Sequence, residues 1–205
     1  MKLSLGNKVA ILIFFVLFID QLLKIWIKTH MQLGQEFHII GDKFIIHFME
    51  NNGMAFGMEF GGNIGKLILS IFRIFAVAGI GIYLVSIIKT KAHFGFVISI
   101  ALILSGAIGN ILDSAFYGLI FNDSYGQLAQ LFPKGGGYSS FLHGRVVDML
   151  YFPLIQGHFP SWMPIWGSED FVFFRPVFNI ADSSISIGII IILLFQKKFF
   201  YKESS

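Results

Sequence analysis

Eleven consecutive apolar residues, Val9 to Ile19, open a stretch that stays apolar to Ile27 apart from Asp20, Gln21 and Lys24. A helix of about 20 such residues spans the hydrocarbon core of a bilayer. Three more stretches have the same character: Leu67–Ile88, Phe94 to about Ala115, and about Val177 to Phe195. The chain has 205 residues, 55% of them hydrophobic and 13% charged, where soluble domains carry about 25% charged residues. A soluble globular enzyme is excluded by this balance. Intrinsic disorder is excluded too, because it needs low hydrophobicity and high net charge. The expectation is one integral-membrane unit, 1–205, crossing the bilayer four times. Lys2 and Lys8 before an apolar core resemble a secretory signal peptide. The pattern continues past Asp20 without a small-residue cleavage site, so an uncleaved span is expected.

Orientation follows from lysine and arginine near the span ends. Lys2, Lys8, Lys89, Lys91, Lys197, Lys198 and Lys202 fall in three short segments, whereas the connections 29–66 and 116–176 are long and mixed in sign. Both termini are therefore expected on the cytoplasmic side, with two large loops outside. In the first loop, Phe37–Ile40 and Phe44–Phe48 flank Gly41-Asp42-Lys43, the pattern of a β-hairpin, and Gly61-Gly62 punctuates its end. Val146–Phe152 in the second loop is another β-like run. The fold class expected is an all-α membrane protein with a small extracytoplasmic β-cradle. No internal repeat is visible.

The polar residues of the spans converge at one depth. Asp20, Gln21 and Lys24 come late in an outward span, Asn110 and Asp113 late in another, and Asn179 and Asp182 early in the inward one. Asp148 lies in the outer loop just before the same surface. Ionisable groups at membrane depth are expensive and mark function by default. Structural roles stand beside that reading. Asp20 and Lys24 are spaced i,i+4, acid first, and can pair on a helix. Asn179 and Asp182 have the spacing of a capping box, and Arg73 can snorkel or pair with an acid.

Exclusion narrows the chemistry. The chain lacks cysteine, which removes thiolate nucleophiles, cysteine-ligated zinc and iron–sulfur clusters. It lacks H-E-x-x-H, G-x-S-x-G and the glycine-rich phosphate loops. The six histidines, His30, His38, His47, His93, His143 and His158, show no metal-ligand spacing. Neither a metal nor a cofactor is expected, and with a net charge of only +3 no nucleic-acid partner is expected either. A pair of carboxylates is the chemistry that remains.

Five motifs then resemble, in order, those of bacterial lipoprotein signal peptidases (signal peptidase II). Asp20-Gln-Leu-Leu-Lys24 resembles D-Q-x-x-K, and Asn51-Asn-Gly-Met-Ala-Phe56 resembles N-x-G-x-A-F. Gly109-Asn110-Ile-Leu-Asp113 resembles G-N-x-x-D, Val146-Val-Asp148 resembles V-V-D, and Phe178-Asn-Ile-Ala-Asp-Ser183 resembles F-N-x-A-D-S. The resemblance implies four transmembrane helices with a periplasmic β-cradle in the bacterial inner membrane. It implies an aspartic endopeptidase that cuts prolipoproteins before a diacylglyceryl-modified cysteine, with Asp148 and Asp182 as the catalytic pair. Asn51, Gly53, Asn110 and Asn179 would bind substrate, while Asp20, Lys24 and Asp113 would be structural. Membrane lipid and globomycin-like peptide inhibitors are the further partners implied. Ser114 stands where the family carries arginine, and the stretch 119–143 is extra. A transporter, with ionisable groups near the midplane of repeated halves, and a non-enzymatic scaffold are the alternatives.

The extra stretch carries Asn122-Asp123-Ser124, a glycine triplet at 135–137 and Ser139-Ser140, within a biased patch, Lys134–Ser140. These residues favour turns and mobility, while Leu128, Leu131 and Phe132 are apolar. A mobile membrane-surface flap that guides lipidated substrate is expected there.

Overall fold

A computed structural model describes residues 3–53, 62–153, 155–158, 160–164, 170–173 and 176–200. Among the described residues, four helices are long and apolar enough to cross a membrane: α1 (Leu5–His30), α2 (Gly62–Lys89), α3 (Phe94–Ile120) and α4 (Ile180–Phe200). Each begins or ends within a few residues of the stretch expected from hydropathy. Ser4 caps α1, its hydroxyl accepting the Asn7 amide at 3.1 Å. The helix α3 lies against all three others, and it loosens into one π-helical turn at Asp113–Tyr117.

Bare apolar surface does not hold helices together in lipid, so close approach must come from small residues and hydrogen bonds. Gly106 and Gly109 of α3 supply that approach. A Cβ at Gly106 would run into the carbonyl of Ala181, and one at Gly109 would sit 2.9 Å from the Asp20 carboxylate. Ser105 and Ser184 hydroxyls add a contact at 3.2 Å across α3 and α4. Large apolar side chains such as Phe75 and Ile82 point outward, 72% and 74% exposed, as expected of a lipid-facing surface.

The sheet sits at the end of the bundle where α1 and α3 finish. Strands β1 (Glu36–Ile40), β2 (Phe44–Asn51) and β3 (Val146–Tyr151) run antiparallel, and β6 (Val177–Phe178) closes the far edge in the order β1-β2-β3-β6. A separate hairpin pairs β4 (Ile155–His158) with β5 (Asp170–Phe173). Phe48, Val147 and Met149 from the sheet are buried with Ile27, Met31, Tyr117 and Phe121 from α1 and α3. That apolar plug fastens sheet to helices and puts β3 beside the polar layer.

Two expectations need correction. Val177 and Phe178 are not the start of the fourth span. They pair with Tyr151 and Leu150 of β3, and the helix starts only after Asn179. The stretch 119–143 is not a loosely tethered flap. Its backbone is bonded to the bundle from Ala129 to Lys28 (3.1 Å) and from Ser139 to Gly118 (2.8 Å) and to itself from Tyr138 to Phe121 (2.9 Å), and Phe121 and Ala129 are buried. Turn-forming composition here serves a compact, folded segment.

Candidate active site

Asp148 comes from the middle of β3 and Asp182 from the first turn of α4. Asn179, the single residue between β6 and α4, joins them. Its side-chain amide donates to Asp148 Oδ1 at 2.8 Å, while its own Oδ1 accepts the Asp182 backbone N–H at 2.9 Å. The Asp182 carboxylate returns the contact to the Asn179 N–H at 3.4 Å. This is a capping box, so the spacing that suggested a cap and the motif that suggested a catalytic pair describe the same residues. The second oxygen of Asp148 accepts from the Asn51 side-chain amide at the end of β2.

Burial pushes the Asp148 carboxyl up to about 7, and the nearby Asp182 charge adds to the rise against the opposing bonds from Asn51 and Asn179. Two neighbouring carboxylates with amide donors on both are able to hold one proton between them near neutral pH.

Behind the pair lies a second layer, fully buried between α1, α3 and α4. Lys24 Nζ bridges Asp20 at 2.9 Å and Asp113 at 2.8 Å, with all three side chains at 0% exposure. Gln21 donates to Asp113 at 2.9 Å and accepts the Tyr117 hydroxyl at 3.1 Å. Asp20 Oδ1 accepts the Ala181 N–H at 2.9 Å, satisfying a donor that a helix start leaves open. Asp113 accepts the Val147 N–H at 3.3 Å, next to Asp148.

Asn110 connects the two layers. Its Oδ1 faces Lys24 Nζ at 3.2 Å and the Asn179 amide at 3.1 Å, and its Nδ2 donates to Asp182 Oδ1 at 2.7 Å. Lysine can only donate, so Lys24 fixes which way the Asn110 amide points and thereby delivers a donor to Asp182.

Gly53 occupies a left-handed conformation (φ +86°), and a Cβ there would meet Arg73 Nη1 at 2.6 Å. Arg73 donates to the Gly53 carbonyl and lies within electrostatic reach of Asp182. Instead of snorkelling away, it ties α2 to the site. Met54, Ala55 and Phe56 of the second motif lie outside the described residues. Buried Ser114 donates to the Asn110 carbonyl at 3.1 Å, so the position that carries arginine in the family is here a small hydroxyl facing back into α3.

Motif reading gave no hint of a further cluster. Lys28 pairs with Glu50 and contacts the Ser124 hydroxyl at 2.7 Å, and Arg145 reaches Glu50 at 3.1 Å and Asp123 at 3.3 Å. Arg145 also lies over the rings of Tyr125 and Tyr138. These residues are scattered along the chain without a common pattern. The signal that could have found it is Lys28, a charge directly after the apolar run Ile25–Ile27.

The fold and the site together define a class: a polytopic membrane protein with a coupled carboxylate pair held by asparagine amides at one end of its bundle. Comparison with known proteins makes the class specific. The family model described as "Signal peptidase (SPase) II" matches residues 12–198, and the chain belongs to that family. It is 56% identical to the lipoprotein signal peptidase of Porphyromonas gingivalis over 195 residues, covering 94% of this chain and 84% of that protein. To the lipoprotein signal peptidase of Amoebophilus asiaticus it is 39% identical over 179 residues, covering 86% and 72%. A bacterial membrane enzyme solved by the in meso method at 1.9 Å has a similar fold, with a TM-score of 0.59, 26% identity and 94% of each chain covered. The chain is thus a multi-pass bacterial membrane enzyme of the aspartic type that removes signal peptides from prolipoproteins. The transporter and scaffold readings are not favoured.

Proposed function

We propose that Asp148 and Asp182 are the catalytic pair, and that cleavage falls before the diacylglyceryl-modified cysteine of the prolipoprotein. The observation that carries this is the bridge through Asn179, which locks a strand carboxylate and a helix-start carboxylate into one hydrogen-bonded unit. Asp148, pushed up to about 7 by burial and by Asp182, is the member that holds the proton. Asp182 sits at the N-terminus of α4, where the helix dipole favours an anion, and it accepts from Asn110. In the reaction Asp182 takes a proton from the attacking water. Asp148 donates its hydrogen bond to the scissile carbonyl oxygen as negative charge develops there. Collapse of the tetrahedral intermediate breaks the C–N bond, and the proton taken from water passes to the leaving amine.

Asn51, Gly53, Asn110 and Asn179 are the groups we assign to the substrate backbone. Globomycin-like peptides would compete at the same place. The three lysine-bearing short segments support cytoplasmic termini, and with them a periplasmic position for the pair and its β-cradle in the inner membrane.

The test is cleavage of a diacylglyceryl-modified prolipoprotein by the purified enzyme, followed on a gel. Asp148→Asn and Asp182→Asn should each lower turnover on the order of 10³-fold or more while leaving the melting temperature of a folded protein. Turnover within tenfold of the parent enzyme by either variant would overturn the dyad.

A further inference from the structure

The extra segment 119–143 ends in a ledge that continues the lipid-facing surface of α3. Phe116 and Leu119, on the last turns of α3, are 45% and 46% exposed. Phe141 packs against Phe116 with ring centroids 5.8 Å apart and is itself 51% exposed. Leu131 forms a β-bridge with Phe121, just past the helix end, and Leu128, Leu131 and Phe132 are 46%, 42% and 72% exposed. Exposed apolar side chains therefore continue from the end of a membrane-spanning helix onto the segment.

The ledge is held rigidly. Phe132 donates its N–H to the Ile120 carbonyl at 2.7 Å and adopts a left-handed backbone (φ +53°). A bulky residue in that conformation persists only where its surroundings over-determine it, and such outliers point to function. Beneath it, the Lys28–Glu50–Ser124 contacts and the Arg145 pairings clamp the segment to α1 and β2. A soluble surface gains nothing by holding an aromatic ring outward at a conformational cost. A bilayer boundary does gain, because apolar and aromatic side chains anchor there and a neighbouring cation meets phosphate. Exposed Lys134 is placed two residues beyond Phe132.

We propose that this ledge is embedded in the bilayer. Phe132, Leu131, Leu128 and Phe141 enter the outer hydrocarbon boundary as an extension of α3, and Lys134 sits among the lipid phosphates. The ledge acts as a fixed outrigger that sets the depth of the site against the membrane. This surface is independent of the catalytic assignment, and its occupant is phospholipid.

The cysteine-free chain makes a direct test possible. Phe132→Cys and Leu128→Cys are each labelled with a nitroxide, the enzyme is placed in phosphatidylethanolamine–phosphatidylglycerol vesicles, and relaxation by oxygen is compared with relaxation by a water-soluble nickel chelate. Reference labels stand at Ile68→Cys, 63% exposed on the α2 span, and at Asp42→Cys in the β1–β2 turn. Retained prolipoprotein cleavage verifies that each labelled protein is folded. The expected result is an oxygen-to-nickel ratio several-fold above that of Asp42 and approaching that of Ile68. A ratio at Phe132 and Leu128 equal to that of Asp42 would overturn the proposal, leaving the ledge in water as a surface for protein contact.

Discussion

Lys24 and Lys28 lie one turn apart on α1, both fully buried, yet they serve different parts of the molecule. Lys24 is shared by Asp20 and Asp113 and orients the amide that faces Asp182. Lys28 is shared by Glu50 and Ser124 and fastens the extra segment to the sheet. The first cluster has one cation for two carboxylates, whereas in the second Arg145 also reaches Glu50. A buried ion cluster with a spare partner tolerates loss, and one without a spare does not. Removing one partner of a buried pair costs about 3–5 kcal/mol when the remaining charge is stranded.

Substituting the two lysines separates the clusters most strongly. Lys24→Met should destabilise the enzyme by about 3–5 kcal/mol and lower kcat on the order of 10-fold or more in the protein that still folds, because Asn110 Oδ1 then keeps only the Asn179 amide of its two donors. Lys28→Met should cost about 1–2 kcal/mol, since Arg145 and the Ser124 hydroxyl still satisfy Glu50, and kcat should stay within about threefold. Melting temperatures and cleavage rates measured side by side decide the matter. If Lys28→Met silences a well-folded enzyme, the two clusters are not functionally distinct.

Gly53→Ala should act next in size and on binding. The added Cβ opposes both the left-handed backbone and the Arg73 guanidinium, so KM should rise several-fold with kcat changed less. A fall in kcat with KM intact would move Gly53 from substrate contact to the chemistry.

The smallest effect separates the Asp148–Asp182 layer from the buried layer behind it by pH. In the fold Asp148 titrates at about 7 instead of its ordinary 3.8. Between these values the native carboxyl keeps a proton that the unfolded chain has released, so stability falls as pH rises from about 4 to 7 and is flat above it. Asp148→Asn lacks this slope, and its melting temperature should gain on the parent across that window only. Cleavage should decline above about 7, as the pair loses its shared proton. A parent-minus-variant difference that is level from pH 4 to 8 would remove the buried-carboxyl assignment.

The four spans were legible because lipid imposes length and hydropathy directly on sequence, and Asp20, Asn110, Asp148 and Asp182 were legible because they sit in short motifs. Val177-Phe178 was misread because a short apolar run reads the same as strand or helix. Only pairing with Leu150 and Tyr151 decides it. The β4–β5 pairing was missed because its strands are short and lie well apart in the sequence, without a two-residue turn signal between them. Glu50, Asp123 and Arg145 were not legible as a unit, since charges far apart in the chain meet only after the sheet has packed on α1. Glycine and serine in 119–143 reported turns correctly, and no composition reveals that those turns are bolted down.

One junction has a further consequence. Strand β6 ends at Phe178 and α4 begins at Ile180, so sheet and helix are geared through a single tooth, Asn179. There is no slack to absorb a length change. Each residue added or lost there would turn the start of α4 by about 100° about its axis, carrying Asp182 off Asp148 while the strand, still zipped to β3, stays put. Lengthening or shortening by one would leave both carboxylates in the protein and still disengage the pair. The connections at 119–143, by contrast, have room to vary without touching that gear.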